Sequence, residues 1–457
     1  METKRQPIRT GMKILITNIV TLNAGDAAIL YAMVNLLRAA FGKDTEFIVY
    51  DTHGEIVSRY YPDLVFRKLL YFHSGSHRIN LLGRRLRAER AFGAVDRARF
   101  YLGLWCLKHN IPIIPRMILT SSELRELVEY NSADLIISSG GTYLVENYSL
   151  THRIFDYNLS LFLGRPLVFF TQSLGPFVNP STRRSLKRIF DESMFILVRD
   201  QQSFNHLRDL GVKNANVRIT ADAAFALGDP VAIEGGKNSL RQPGSPFKVA
   251  ISVREWRHFK TVAPGVGMNR YLEALRAVST HLVEKYNAEI TYLSTCQGMP
   301  EYWTDDSQVA RRIVEGLPDR VNNSVVVDTN FHHPRDLAEI LKGFDLIIAT
   351  RMHMAILALG VGVPVLPIAY EFKMRELFES LGHARWVQDM EKMSGASLIH
   401  TVDLFLDSLP QTRKALFAAV QREREKAIDS VEFVREALNH RHGFETAREK
   451  PAVSSGW

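Results

Sequence analysis

An arginine and a histidine stand close together in Thr350-Arg351-Met352-His353, between two apolar runs. The run at 344–349 reads as a buried strand, the one at 363–369 as the next strand, and a helix ending near Gly360 lies between them. Arg351 and His353 therefore fall at the carboxyl end of a parallel strand, where open α/β sheets bind ligands. Arginine offers a planar fork to a carboxylate or phosphate. Histidine moves protons near neutral pH, and a helix N-terminus favours an anion. The pattern predicts an anion site with acid/base capacity. The competing reading pairs Arg351 with a nearby carboxylate and leaves His353 a half-buried structural residue; the strand-end position tips the balance towards function.

Further residues occupy equivalent places. Asn23-Ala24-Gly25-Asp26 joins the first strand to the first helix, with Gly25 free to turn or approach a ligand closely and Asp26 suited to cap the helix. Gly140 and Gly141 end another strand, and such pairs permit close backbone contact with a sugar or phosphate. Gln172 and Ser173 follow a third strand, where they can bond a sugar hydroxyl. Arg199 and Arg254 each end a strand beside an acidic neighbour, Asp200 or Glu255, so an ion pair is the plain alternative for both. Each of these loops is also explained by ordinary turns and caps, and they persuade more together than singly.

The elements that must position these residues come in two series. Strands at 12–18, 46–51, 134–138, 166–171 and 194–198 alternate with helices, then strands at 248–253, 289–293, 324–327, 345–349 and 363–368 do the same. This spacing predicts α/β architecture with two doubly wound Rossmann-like domains facing a cleft. The expected boundaries are an N-terminal domain over 1–230, a Gly/Pro-rich linker over 231–246, a C-terminal domain over 247–400, helices over 401–440 and a disordered tail over 441–457. Residues 59–115 fit neither sheet. They are dense in arginine (Arg84, Arg85, Arg87, Arg90, Arg97, Arg99) with Phe92, Phe100, Tyr101 and Trp105 among them, and read as a basic amphipathic helical insertion. Such a helix either packs on the sheet or lies on an anionic membrane.

At 457 residues, 46% hydrophobic and 23% charged, the composition is that of an ordinary globular protein. Cys106 and Cys296 form no disulfide framework and no metal spacing. No apolar signal core and no membrane-spanning run is read, so a cytoplasmic protein is expected. A net charge of +8 favours an acidic partner. There is no Gly-x-Gly-x-x-Gly after the first strand, no Walker loop and no metal cluster.

Asn23-x-Gly25-Asp26, Gly140-Gly141, Gln172-Ser-Leu-Gly175-Pro176, Arg199-Asp200 with Ser203, Ala221-Asp222-Ala223, and Arg351-Met-His353 with Gly360 and Pro364, in that order, resemble the polysaccharide pyruvyl transferase family. The resemblance runs from about Asn18 to Lys373. It implies a fold similar to the B-type glycosyltransferases, with the phosphoenolpyruvate side in the C-terminal domain and the acceptor side in the N-terminal one. It further implies transfer of pyruvate from phosphoenolpyruvate to two hydroxyls of a bacterial-type exopolysaccharide or cell-surface sugar, as a cyclic ketal. Catalytic roles then fall on His353, Arg351 and Arg254, with Arg199 the rival to Arg254. Asn23, Gly25, Asp26, Gly140, Gly141, Gln172, Ser173 and Arg199 would bind substrate. Phosphoenolpyruvate is a donor substrate, and no cofactor or metal is expected. The expected acceptor is a saccharide, lipid-linked if the insertion meets a membrane at the inner face. The rivals are a nucleotide-sugar glycosyltransferase of the same fold and a non-catalytic anionic-glycan binder. A nucleic-acid partner is not expected, because no recognised motif is present.

Overall fold

The computed structural model describes residues 11–73, 88–238 and 246–448. Its N-terminal sheet has eight strands: β1 (Lys13–Ile19), β2 (Glu46–Asp51), β3 (Val65–Lys68), β4 (Leu135–Ser138), β5 (Gly141–Leu144), β6 (Leu167–Leu174), β7 (Phe195–Val198) and β8 (Val217–Ile219). Their order is β3-β2-β1-β4-β6-β7-β8, with β5 pairing β6 off that path. The second sheet has six: β9 (Phe247–Ser252), β10 (Ala288–Tyr292), β11 (Val325–Val327), β12 (Leu346–Ala349), β13 (Val365–Ala369) and β14 (Gln388–Asp389), ordered β11-β10-β9-β12-β13-β14. The strand pairs in both sheets are parallel.

The winding direction reverses between β1 and β4 in the first sheet, and between β9 and β12 in the second. Crevices open at the carboxyl ends of strands at such switch points. Ala349 of β12 pairs with Ser252 of β9, which makes Arg351 and Arg254 neighbours, each two residues beyond a paired strand end.

Side-chain alternation builds the layers. In β1, Leu15 packs under one face of the sheet while Ile14 and Ile16 pack on the other. In β12, Leu346 and Ile348 face outward to one core, and Ile347 and Ala349 join the core that runs between the domains. That shared core also takes in the helix Ala24–Phe41. This helix is long and apolar enough to cross a bilayer, contrary to the expectation that no such run exists, but 78% of it is buried inside the fold.

Several expectations change. The stretch read as a linker begins with a helix, Pro230–Asn238; residues 239–245 lie outside the described residues. The 59–115 region contributes β3 to the first sheet, paired with β2, and then the helices Ala88–Lys108 and Ile113–Ile118. Arg84, Arg85 and Arg87 lie outside the described residues. The C-terminal helix is a single element, Gly395–Arg448, with Pro410 inside it. It continues into the expected tail, of which 449–457 lie outside the described residues. This helix returns to the N-terminal domain: Lys426 O accepts from Thr220 Oγ1 at 2.9 Å, and Phe433 stacks on Phe195 at 6.0 Å.

Candidate active site

A cavity of about 420 Å³ opens between the domains, within the range of roughly 300–1,000 Å³ usual for small-molecule sites. Its walls come from both switch points, which places Asn23 and Asp26 opposite Arg254, Arg351, His353 and Lys373.

His353 occupies the second position of the helix Met352–Gly360. Its Nε2 lies 3.5 Å from the Asp222 carboxylate, too long for a good hydrogen bond, and is otherwise buried without a partner. Nδ1 lies against Gly25 of the other domain. Burial alone would push the Asp222 carboxyl up, but Arg199 and His353 beside it more than offset this and hold it well below the usual range. Arg199 pairs with Asp222 through Nη1 and donates to Ser173 Oγ at 2.7 Å and Thr142 Oγ1 at 2.9 Å. The result is a chain, Arg199–Asp222–His353, that fixes one edge of the imidazole with a charged carboxylate.

The cations behave differently from one another. Arg351 points its fork at Asp306, with Nε 2.8 Å and Nη2 2.6 Å from the two carboxylate oxygens. The competing sequence reading of an arginine paired with a carboxylate is thus correct in geometry, and Arg351 also lines the cavity. Arg254 does not pair with Glu255, which bonds Arg312 at 2.9 Å. Its guanidinium donates to the Tyr370 hydroxyl and sits 4.3 Å from the Tyr370 ring centre and 5.1 Å from Trp256. Its Nε is buried without a partner, and no carboxylate pairs with it among the described residues. Lys373 lies 3.4 Å from Glu371. Burial would lower its pKa, yet Tyr370 and Glu371 raise it further, so it stays charged. Arg254 and Lys373 are therefore the cations best available to an anion.

The opposite wall carries a carboxylate and several hydrogen-bonding groups. Asp26 is 5% exposed and accepts a hydrogen bond from the Tyr143 hydroxyl. It sits in the first helical turn and not at the cap, which is Asn23, whose side chain accepts from Gly25 N at 2.9 Å. Arg153 donates to Asn18 and to Ser149 O at 3.0 Å and covers the Tyr143 ring. Burial and Arg153 push His152 down to about 4, which leaves it neutral at physiological pH. His53 carries a buried Nδ1 without a partner.

Of the residues singled out in the sequence, Asn23, Asp26, Arg254, Arg351 and His353 line the cavity. Gly25 is beside it, against His353. The others hold the wall from behind. Gln172 donates to Ser138 O at 3.1 Å, and Ser173 donates to Asp200. A side chain on Gly140 would meet Thr171 Oγ1 at 2.6 Å. Gly141 has φ +131°, which favours glycine, and starts β5. Gln172 and Ser173 lie inside β6, which extends three residues further than expected. Missed were Lys373, Tyr370, Arg153, His152 and Asp306, while Asp222 stood in the motif Ala221-Asp222-Ala223 without its role as partner of Arg199 and His353. Lys373 follows β13 as Arg351 follows β12, so the same strand-end rule reaches it; Arg153 lies in the helix Thr151–Phe162, where that rule is silent.

Comparison with known proteins fits this arrangement. The chain is 27% identical over 295 residues to the amylovoran biosynthesis protein AmsJ of Erwinia amylovora, covering 64% of this chain and 70% of that one. In fold it is similar to a putative UDP-N-acetylglucosamine 2-epimerase of Listeria monocytogenes (TM-score 0.54, 12% identity, 94% and 98% of the two chains). It is likewise similar to Alr3699/HepE of Anabaena solved with UDP (TM-score 0.54, 12% identity, 94% and 100%). These likenesses show two parallel-sheet α/β domains of the B-type glycosyltransferase kind. The family profile for polysaccharide pyruvyl transferase matches residues 23–371, and the chain belongs to that family.

Proposed function

We propose that the protein transfers pyruvate from phosphoenolpyruvate to two hydroxyls of an exopolysaccharide sugar in the cytoplasm, forming a cyclic ketal. The observation that carries this is the meeting of Arg254, Lys373 and His353 at neighbouring strand ends, across one cavity from Asp26. AmsJ, an amylovoran biosynthesis protein, supports the acceptor class.

Arg254 and Lys373 hold the carboxylate and phosphate, with Arg351 kept in place by Asp306. His353 gives a proton to C3. The C2=C3 electron pair forms the new C–H bond, and C2 becomes an oxocarbenium-like centre. A sugar hydroxyl attacks C2, and Asp26 takes its proton. The C2–O bond to phosphate then breaks, its electron pair leaving with the phosphate. The second hydroxyl closes the ring and gives its proton to that phosphate. Solvent returns the proton on Asp26 to His353, so phosphoenolpyruvate and a diol give ketal and inorganic phosphate. No cofactor enters the scheme. Positioned acid/base groups contribute ~10²–10⁴-fold, and fixed cations add electrostatic stabilisation.

The test is to incubate the protein with labelled phosphoenolpyruvate and a panel of free and lipid-linked oligosaccharides in D₂O. The expected outcome is phosphate release matched by label in the glycan, with one deuteron in the new methyl group. Glycan labelling from a uridine diphosphate sugar, without phosphoenolpyruvate dependence, would establish the glycosyltransferase reading instead.

A further inference from the structure

Six of the eighteen large hydrophobic side chains that are exposed among the described residues fall within 101–117: Tyr101, Leu102, Trp105, Ile113, Ile114 and Met117. They belong to the outer faces of the helices Ala88–Lys108 and Ile113–Ile118. The inner faces are tied down. Leu104 and Phe100 are buried, Gly103 packs on Leu119, and Arg99 grips Glu123 with a two-pronged contact of 2.8 and 2.9 Å. A helical hairpin is thus held firmly to the domain while it presents an apolar surface outward. Concentrations of this kind mark interaction sites, whereas scattered exposed apolar residues do not.

The charge around the patch selects the partner. From 97 to 120 the sequence holds no acidic residue; Arg99 is already paired with Asp96 and Glu123, which leaves Lys108 and Arg116 as the cations beside the patch. Lys108 and Arg116 are exposed at the patch, Lys108 lying 4.5 Å from the Phe162 ring centre. A second copy of the chain docked face to face would set these cations against themselves. An anionic lipid surface complements them, and Trp and Tyr are the aromatic residues favoured at the lipid–water boundary.

We propose that this hairpin docks the protein on an anionic lipid bilayer, beside the mouth of the acceptor half of the cavity. The placement follows a short line of rings. His152, on the cavity wall, lies 6.2 Å from Tyr71, which is 5.6 Å from Phe155. Phe155 is 5.9 Å from Phe100, and Phe100 is 5.8 Å from the exposed Tyr101. A saccharide whose lipid anchor stays in the bilayer would then have its sugar end within reach of Arg153 and Asp26. This rests on the saccharide-acceptor reading and names the acceptor's form as lipid-linked.

The test is flotation of the full chain with phosphatidylcholine vesicles and with vesicles holding about a third phosphatidylglycerol, at low and high salt. Wild type should bind the anionic vesicles at least tenfold better, with binding that high salt weakens; each basic residue near the surface adds roughly fivefold. Trp105→Ser with Met117→Ser should lose about tenfold at unchanged melting temperature, and Lys108→Glu with Arg116→Glu should lose about 25-fold or more. Binding to neither vesicle, or binding that ignores lipid charge and both variants, overturns the proposal. So does a dimer in light scattering that the serine variant dissociates, since the patch would then belong to a second copy. Vesicle binding is measured without substrate. Failure of phosphoenolpyruvate-dependent phosphate release would therefore overturn the catalytic reading alone.

Discussion

Gly25 and His353 touch across the domain boundary: a Cβ built on Gly25 would stand 2.6 Å from His353 Nδ1. Gly25 is a helical residue, so the requirement for glycine comes from this close approach and not from backbone conformation. The side chain that the first domain lacks at Gly25 makes room for His353 of the second, the proton donor in the proposed scheme.

Gly25→Ala should therefore push the imidazole away from its working position. Misplacement by about 1 Å can cost ~10²-fold. The expectation is a large fall in kcat with a lower melting temperature as well, because the added methyl also meets His353 Cβ at 2.8 Å and such overpacking costs ~1–3 kcal/mol against the ~1 kcal/mol that alanine gains in a helix. A normal kcat would show that the position of the imidazole is not critical.

His353→Gln should lose ~10²–10⁴-fold in turnover while the circular dichroism spectrum and melting temperature stay close to wild type. The ring lies at the cavity wall between Asp222 and Gly25, and glutamine keeps a polar side chain of similar length there. An unfolded variant would return it to a structural role.

Arg351→Lys should fail in a different way from the one its sequence suggests. The fork engages Asp306, whose side chain also accepts from Ser294 at 2.5 Å. Lysine keeps the charge but not the two-pronged contact, so denaturant melts should show a loss of ~1.5–3 kcal/mol, short of the ~3–5 kcal/mol for removing one partner of a buried pair, together with weaker phosphoenolpyruvate binding. An unchanged midpoint would mean that lysine restores the contact.

Arg254 and Arg199 should separate cleanly. Arg254→Lys loses the stacking on Tyr370 and Trp256 and should mainly raise KM for phosphoenolpyruvate. Arg199→Lys disturbs Asp222 and, through it, His353, so it should mainly lower kcat. Steady-state kinetics on both variants decide this, and the reverse pattern would exchange their roles.

Asp156 offers a pH test. Burial pushes its carboxyl up to about 7, against the opposing effects of Thr17 and Arg153. The folded state binds its proton more tightly than the unfolded state, so this contribution to stability is full below pH ~4 and is lost as pH rises towards about 7. Neighbouring His152, held down to about 4, acts oppositely: its contribution is present above pH ~6.5 and is lost as pH falls. Asp156→Asn should remove the first effect, so its stability relative to wild type should improve steadily from pH 4 to 7 in denaturant melts. Parallel curves would show that Asp156 does not titrate there.

The strand series, the two Rossmann-like halves and the strand-end position of Arg351 and His353 were legible in the sequence because alternation and spacing are local. Three strands were short or polar enough to escape that reading: Val65–Lys68, Val217–Ile219 and Gln388–Asp389. Gly140 and Gly141 read as a strand end because paired glycines are turn-like in isolation, whereas pairing with β6 draws Gly141 into a strand of its own.

Residue types and local periodicity by themselves determined that an arginine and a histidine end a parallel strand beside a helix start. Only the tertiary structure decided what each does there. Asp306 lies forty-five positions before Arg351, yet it takes the arginine's fork. Asp222, 131 positions before His353 in the chain, takes one side of the histidine, and Gly25 of the other domain takes the other. Charge pairing and steric fit depend on distance in space. Strand order, which makes β9 and β12 neighbours, and the packing of two sheets across one cleft set those distances.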